Sequence, residues 1–194
     1  METFQIYFEL GLEHILDVNG YDHILFVIAL SSIYLIRDWK KILILVTAFT
    51  IGHSVTLALA TLRVINFRIE IIEFLIPITI FLTAVSNLSR TDATHSNRKI
   101  QTNYWLALAF GFIHGLGFST YLRSLLGTDR SILNQLLAFN IGLEVGQIII
   151  VAAYLIISFI FVSVFQFSRR DWKMVVSSAI AGIAITIMLE AKFW

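Results

Sequence analysis

The sequence predicts an all-α fold, a polytopic membrane helix bundle of about six transmembrane helices with a short N-terminal interfacial or re-entrant helix in front. Three observations predict it. Hydrophobic residues make up 58% of the 194-residue chain and charged residues 14%, against roughly 45 to 50% and about 25% in soluble domains. The apolar residues gather in runs close to the ~20 residues that a helix needs to cross a hydrocarbon core. Inside these runs stand His53, Glu73, His114, Asn140, Glu144 and Gln147. An unpaired ionisable group in lipid costs at least ~2.5 to 3.5 kcal/mol, so these groups are expected to meet one another or a ligand. With ~20 residues per span, the length leaves room for a single membrane domain, 1–194.

The elements follow in order. Residues 4–16 are apolar enough for the interfacial or re-entrant helix, which the turn residues Asn19-Gly20 end. Spans are expected near 21–36, 41–61, 70–89, 104–125, 133–160 and 172–193. The apolar run from Ile132 to Phe167 is far longer than ~20 residues and must tilt, protrude or break; Gly142 and Gly146 are its expected soft points. Pro77 lacks an N–H, so the carbonyl of Glu73, four residues earlier, loses its helical partner. The hydrophilic loop at 89–103 divides the chain into two sets of three spans, and His95 within it has no specific role expected. Across that loop FTIGHS and FGFIHG both place His after Phe and a small residue, an echo of the kind that transporters carry as inverted repeats.

Charge sets the orientation. Arg37, Lys40, Lys41, Arg90, Arg98, Lys99, Arg169, Arg170 and Lys173 flank one side of the expected spans and outnumber Arg63, Arg68, Arg123, Arg130 and Lys192 on the other. The positive-inside rule puts the first set in the cytoplasm and both termini outside, in the periplasm if the source is a Gram-negative bacterium. The first sixteen residues contain no Lys or Arg, so they lack the basic start of a signal peptide and are expected to stay in the mature protein. A net charge of +1 gives no footprint for a nucleic-acid partner. The chain has no cysteine, which excludes thiolate ligation and leaves imidazole, carboxylate and amide ligands, a set suited to nickel, cobalt or zinc.

The polar residues share a depth and a face. At ~1.5 Å per residue, His53 lies ~18 Å and His114 ~15 Å above the cytoplasmic ends of their spans, while Glu73, Asn140 and Glu144 descend from the outer end. Asn140, Glu144 and Gln147 follow the i, i+4, i+7 pattern of one helix face. Thr50, His53 and Ser54 form another, and Gly111, His114, Gly115 and Phe118 a third. The pairs Gly111 to Gly115 and Gly142 to Gly146 let backbones approach closely, which is expected to bring His114 beside Glu144. In HILDVNGYDH, His14, Asp22 and His23 have the residue types of a nitrogen–oxygen metal site; Asp22 either ligates, orients a histidine, or caps the first span. Gln147 also fits a plain interhelical hydrogen bond. Glu9, Glu13 and Asp17 read as a solvated acidic face. Ser54 and Ser119 lie near the histidines, but neither G-x-S-x-G nor H-E-x-x-H is present, and serines in membrane helices usually bond back to the backbone.

These residues sit in blocks that resemble the HupE/UreJ family of bacterial membrane proteins, in particular its broader second subfamily: G-Y-D-H-I-L-F at 20–26, T-A-F-T-I-G-H-S-V-T-L-A-L-A at 47–60, I-E-F-L-I-P-I-T-I at 72–80, F-G-F-I-H-G-L-G-F-S at 110–119 and F-N-I-G-L-E-V-G-Q at 139–147. The resemblance implies a multi-pass inner-membrane protein of nickel or cobalt handling, and carries the metal-site role onto His14, Asp22, His23, His53, Glu73, His114, Asn140, Glu144 and Gln147. It departs at the start: the stretch from His14 to Asp22 is longer than the family's usual one, and Ile15 stands where the narrower HupE signature has proline. His14 therefore ranks last among the expected ligands.

Three functions compete. A divalent-metal permease would use His23, His53 and His114 as ligands, with Asp22, Glu73 and Glu144 neutralising the ion; its partners are the metal ion and the lipid bilayer. Its inner half offers only Ser31, Ser32, Asn87 and a few hydroxyls. An intramembrane zinc hydrolase would activate a water on the metal with Asp22 or Glu144 as general base. In a structural membrane subunit the polar groups would only join helices.

Overall fold

The computed structural model describes residues 2–89, 97–126 and 132–194, with the backbone alone at 97–100, 102 and 126. The expectations that rest on His95, Arg90 and Arg130, and on the side chains of Arg98 and Lys99, lie outside these residues. All regular structure among the described residues is helical: α1 (Glu2–Leu16), α2 (Asp22–Ser31), α3 (Trp39–Thr61), α4 (Ile69–Leu88), α5 (Asn97–Leu126), α6 (Ile132–Phe159) and α7 (Arg169–Glu190). Among the described residues, five stretches are long and apolar enough to cross a membrane: Ile36–Thr61, Ile69–Leu88, Asn103–Leu125, Ile132–Val164 and Arg169–Glu190. The chain is a polytopic helical membrane protein.

Local chemistry explains the boundaries. Asp38 precedes α3 and takes the Lys41 ammonium at 2.7 Å. After α3 the chain reverses at Arg63, with φ 59°. The helix α4 is continuous through Pro77. Ser168 caps α7 by accepting the amide of Asp171 at 3.0 Å, satisfying one of the orphan donors of a helix start. The long run of α6 does break, but not at its glycines: α6 passes through Gly142 and Gly146 and loosens into a π turn at Ile160–Val164, after which Gln166 turns the chain with φ 57°.

The glycines are packing seats. A Cβ on Gly52 would strike the carbonyl oxygen of Leu108, one on Gly111 that of Phe49, and one on Gly115 that of His53, so α3 and α5 meet backbone to backbone. The same register recurs between α1 and α6. Gly11 faces the carbonyl of Phe139, Gly142 that of Phe8, and Gly146 the side chain of Ile15. In both pairs each central glycine lies against the carbonyl three residues before its counterpart. Close approach at small residues is the expected geometry, but its consequence differs from the sequence reading: α5 seats on α3 and α6 on α1, rather than bringing His114 to Glu144. The echo between FTIGHS and FGFIHG belongs to two helices that pack against each other. The structural repetition relates the pair α3/α5 to the pair α1/α6.

That register also gives direction. The helices α3 and α5 are separated by the crossing of α4 and run in parallel; the equivalent seats make α1 parallel to α6, which runs the opposite way. His14 near the end of α1 meets His23 at the start of α2, with ring centroids 4.6 Å apart. Farther along α2, the Ala29 carbonyl accepts Asn87 Nδ2 at 2.8 Å near the end of α4. Thus α1 and α2 follow one another through the bundle as a crossing broken in two. At ~1.5 Å per residue, the ten residues of α2 cover only about half of a ~30 Å core, so the helix here, Asp22–Ser31, is shorter than the span expected at 21–36 and follows on from α1. The break is written in D-V-N-G, where Asp17 Oδ1 accepts the Asn19 amide at 2.8 Å, a turn that competes with helix.

Candidate metal centre

Four histidines from four helices converge at this break. His14 comes from the last turn of α1 and His23 from the first turn of α2; His53 comes from α3 and His114 from α5. The ring of His23 lies 5.2 Å from that of His114 and 6.1 Å from that of His53, and His14 lies 6.2 Å from His53. Ligand atoms of His14, His23 and His53 fall within 4.8 Å of one another, as do those of Asp22, His23 and His114. His53 and His114 are 0% exposed and His23 is buried.

Hydrogen bonds assign what each ring offers. Asp22 Oδ1 accepts the backbone amide of His23 at 2.9 Å and sits 3.0 Å from its Nδ1. A carboxylate only accepts, so Nδ1 carries the proton and Nε2 keeps its lone pair. Thr79 donates its single hydroxyl proton to the carbonyl of Ile76 at 2.7 Å, so at 3.1 Å it accepts from Nε2 of His114. Nδ1 of His114 then holds that ring's lone pair. His14 Nε2, His23 Nε2, both nitrogens of His53 and His114 Nδ1 are buried with no hydrogen-bond partner. Each orphaned buried polar atom costs about 1 to 3 kcal/mol. One nitrogen of a neutral His53 carries a proton, so the cluster presents up to four lone pairs at one point, an arrangement suited to an electrophile.

Aromatic rings wall the cluster. Phe118 lies 3.9 Å from the His14 ring and stacks on Phe139 at 5.1 Å. Phe49 borders His53 and His114 at 6.0 and 5.1 Å, and Phe26 packs 5.0 Å from His114. Such walls exclude water and strengthen any charge interaction within. On the other side an open vestibule of about 870 Å³ reaches His14, Asp22 and His23, with Glu13, Asp17 and Glu73 also lining it.

The nine expected site residues therefore divide. Five join the cluster: His14, Asp22, His23, His53 and His114. His14, ranked last from the sequence, is central because the longer stretch to Asp22 is the turn that folds α1 back onto His23. Glu73 is exposed in the vestibule and joins neither ligand group. Glu144 is also outside both groups; its Oε1 accepts Thr47 Oγ1 at 2.6 Å. Gln147 Oε1 accepts Thr50 Oγ1 at 2.8 Å, and Asn140 Nδ2 donates to the Leu136 carbonyl at 2.7 Å. Glu144 and Gln147 thus hold α6 to α3, the plain reading given for Gln147, although Glu144 Oε2 and Gln147 Nε2 are left unpartnered; Asn140 bonds within α6 and leaves its Oδ1 unpartnered. Ser54 and Ser119 bond back to the carbonyls of Thr50 and Leu116 at 2.6 and 2.7 Å, which removes them as nucleophiles.

Sequence reasoning missed Thr79, Thr47 and most of the aromatic wall. Phe49 stands four residues before His53, a same-face spacing that was a usable signal for it. Thr79 and Thr47 carried no such signal, since a lone threonine in an apolar run looks like any other.

No curated protein and no solved structure matches the chain. A family model described as HupE / UreJ protein, a family associated with nickel and cobalt uptake, matches residues 1–192, nearly the whole chain, and the chain belongs to the HupE/UreJ family.

Proposed function

We propose that this chain is a permease for a divalent transition metal, nickel or cobalt, in a bacterial inner membrane, with both termini and the vestibule facing outward. His14, His23, His53 and His114 take the ion. Asp22 orients His23 and lends the site a negative charge, and Glu13, Asp17 and Glu73 draw cations into the vestibule. The observation that carries the reading is the set of bare imidazole nitrogens at a broken crossing, because discontinuous helices are where transporters place their ion sites. Two inverted pairs, α1/α6 and α3/α5, flank that site as rocking bodies would.

The second reading, a zinc-dependent hydrolase, is favoured by the inner half, where the polar groups bond to one another and offer no evident path. Asp22 is then the candidate base; Glu144, tied to Thr47 outside the ligand groups, is not. A structural subunit would need no bare nitrogens. Metal analysis of the purified protein followed by uptake into proteoliposomes separates the three. Bound metal with flux that His114→Ala abolishes supports the permease. Bound metal without flux sinks it in favour of the hydrolase, and a metal-free preparation that takes up no added ion sinks both.

A further inference from the structure

At the end of the bundle away from the histidines, a cleft of about 160 Å³ opens where the chain leaves α2 and where α6 turns into α7. Two arginines line it, Arg37 from the short 3-10 turn Ile36–Asp38 and Arg169 from the first turn of α7. The serines Ser158 and Ser163 line it as well, with Leu155 and Phe159 as apolar wall. The π turn at Ile160–Val164 and the reversal at Gln166 deliver Arg169 to this place.

Neither arginine is held in a close ion pair. Arg37 Nε lies 4.0 Å from Asp38 Oδ2, and it shares that carboxylate with Lys41, which holds Oδ1 at 2.7 Å. Arg169 has no ion pair among the described residues. Two guanidinium groups bordering one small cleft repel each other unless an anion lies between them, and the planar guanidinium fork matches phosphate.

The surroundings say which anion. Ile36 and Phe159, which line the cleft, are about half exposed at 55 and 49%, and Phe165 and Phe167, in the chain leading from α6 to Arg169, are exposed at 62 and 50%. Trp39, two residues after Arg37 in the chain, is exposed, with the Lys40 ammonium 5.6 Å from its ring, an arrangement suited to the membrane interface. An apolar collar next to paired cations at headgroup depth fits an amphiphile. We infer that the Arg37–Arg169 cleft is a binding site for the phosphate of an acidic phospholipid whose acyl chains lie along the exposed flank of α6. Basic pockets between transmembrane helices recognise such headgroups. The site is independent of the metal reading.

The test is native mass spectrometry of the full-length protein in detergent, titrated with phosphatidylglycerol, with phosphatidylcholine and with inorganic phosphate. The wild type is expected to retain phosphatidylglycerol at least several-fold better than phosphatidylcholine. Arg37→Glu with Arg169→Glu should abolish that preference, while Arg63→Glu with Arg68→Glu at the opposite end keeps it. A thermal melt in each lipid checks the same point in a folded sample: only the first double variant loses the rise in melting temperature that phosphatidylglycerol gives. Equal retention of the two lipids overturns the inference, as does an unaffected Arg37/Arg169 variant. Displacement of the lipid by inorganic phosphate at millimolar concentration overturns the lipid and leaves a free oxyanion as the ligand.

Discussion

Two polar clusters in this bundle, one in each half, treat their buried groups in opposite ways. Around the broken crossing, imidazole nitrogens of His14, His23, His53 and His114 are buried without partners. Toward the other end, Asn87 Nδ2 donates to the Ala29 carbonyl at 2.8 Å and to Ser32 Oγ at 3.0 Å, Ser32 lies 3.4 Å from Ser177 Oγ, and Asn103 Nδ2 donates to Tyr34 at 3.0 Å. Polar residues that complete each other's hydrogen bonds hold helices together. Those that leave lone pairs bare do not contribute to stability until something binds. Polarity inside a membrane protein is thus not one signal but two, told apart only by accounting for every donor and acceptor.

The strongest way to break this contrast is His53→Ala. His53 is fully buried with both nitrogens unpartnered, so its loss should abolish metal retention while leaving the melting temperature of the metal-free protein unchanged or higher, since an orphaned polar group goes with it. Isothermal titration with nickel and a melt without metal measure both. A variant that keeps full affinity, or that collapses without metal, would make His53 a structural residue. Asp22→Asn comes next. It keeps the shape but can donate where the carboxylate only accepted, and the loss of a carboxylate that orients a ligand histidine typically costs ~10 to 100-fold in metal affinity. An unchanged affinity would remove Asp22 from the site.

Much of this was legible in the residues. Composition and run length gave the membrane bundle, and the shared depth of His53 and His114 pointed to one centre. The broken crossing was half legible: D-V-N-G announces a turn, but an apolar pattern at 4–16 reads equally as a helix lying on the membrane and one entering it. Faces were readable and partners were not. The i, i+4, i+7 stripe of Asn140, Glu144 and Gln147 is a real face, yet sequence periodicity cannot say whether it meets histidines or the threonines of α3. The same holds for the glycines, whose spacing marks a close approach without naming the helix that approaches.

The glycine seats give a third test, on stability rather than binding. A Cβ at Gly142 meets the backbone of Phe8, and one at Gly111 meets the backbone of Phe49. Backbone cannot step aside as a side chain can, and overpacking costs typically 1 to 3 kcal/mol. Gly142→Ala and Gly111→Ala should each lower the denaturation midpoint. Gly182, with nothing within 4 Å of its added Cβ, is the control: Gly182→Ala should be neutral or gain stability, because alanine favours helix by up to ~1 kcal/mol. Equal effects at all three sites would refute the paired-helix architecture.

The smallest effect bears most directly on the contrast between halves. Asn87→Ala removes two hydrogen bonds from the inner network, and interhelical bonds of this kind average only about 0.6 kcal/mol each. A modest loss of stability with nickel affinity intact is the expected result. If flux also survives, Asn87 is a fastener and the ion leaves the cluster by another route, past the wall of Phe26 and Phe49. If flux fails while binding and stability hold, the inner polar groups are a path whose bonds exchange for the ion as it passes, and the division between the halves becomes one of sequence in time rather than of role.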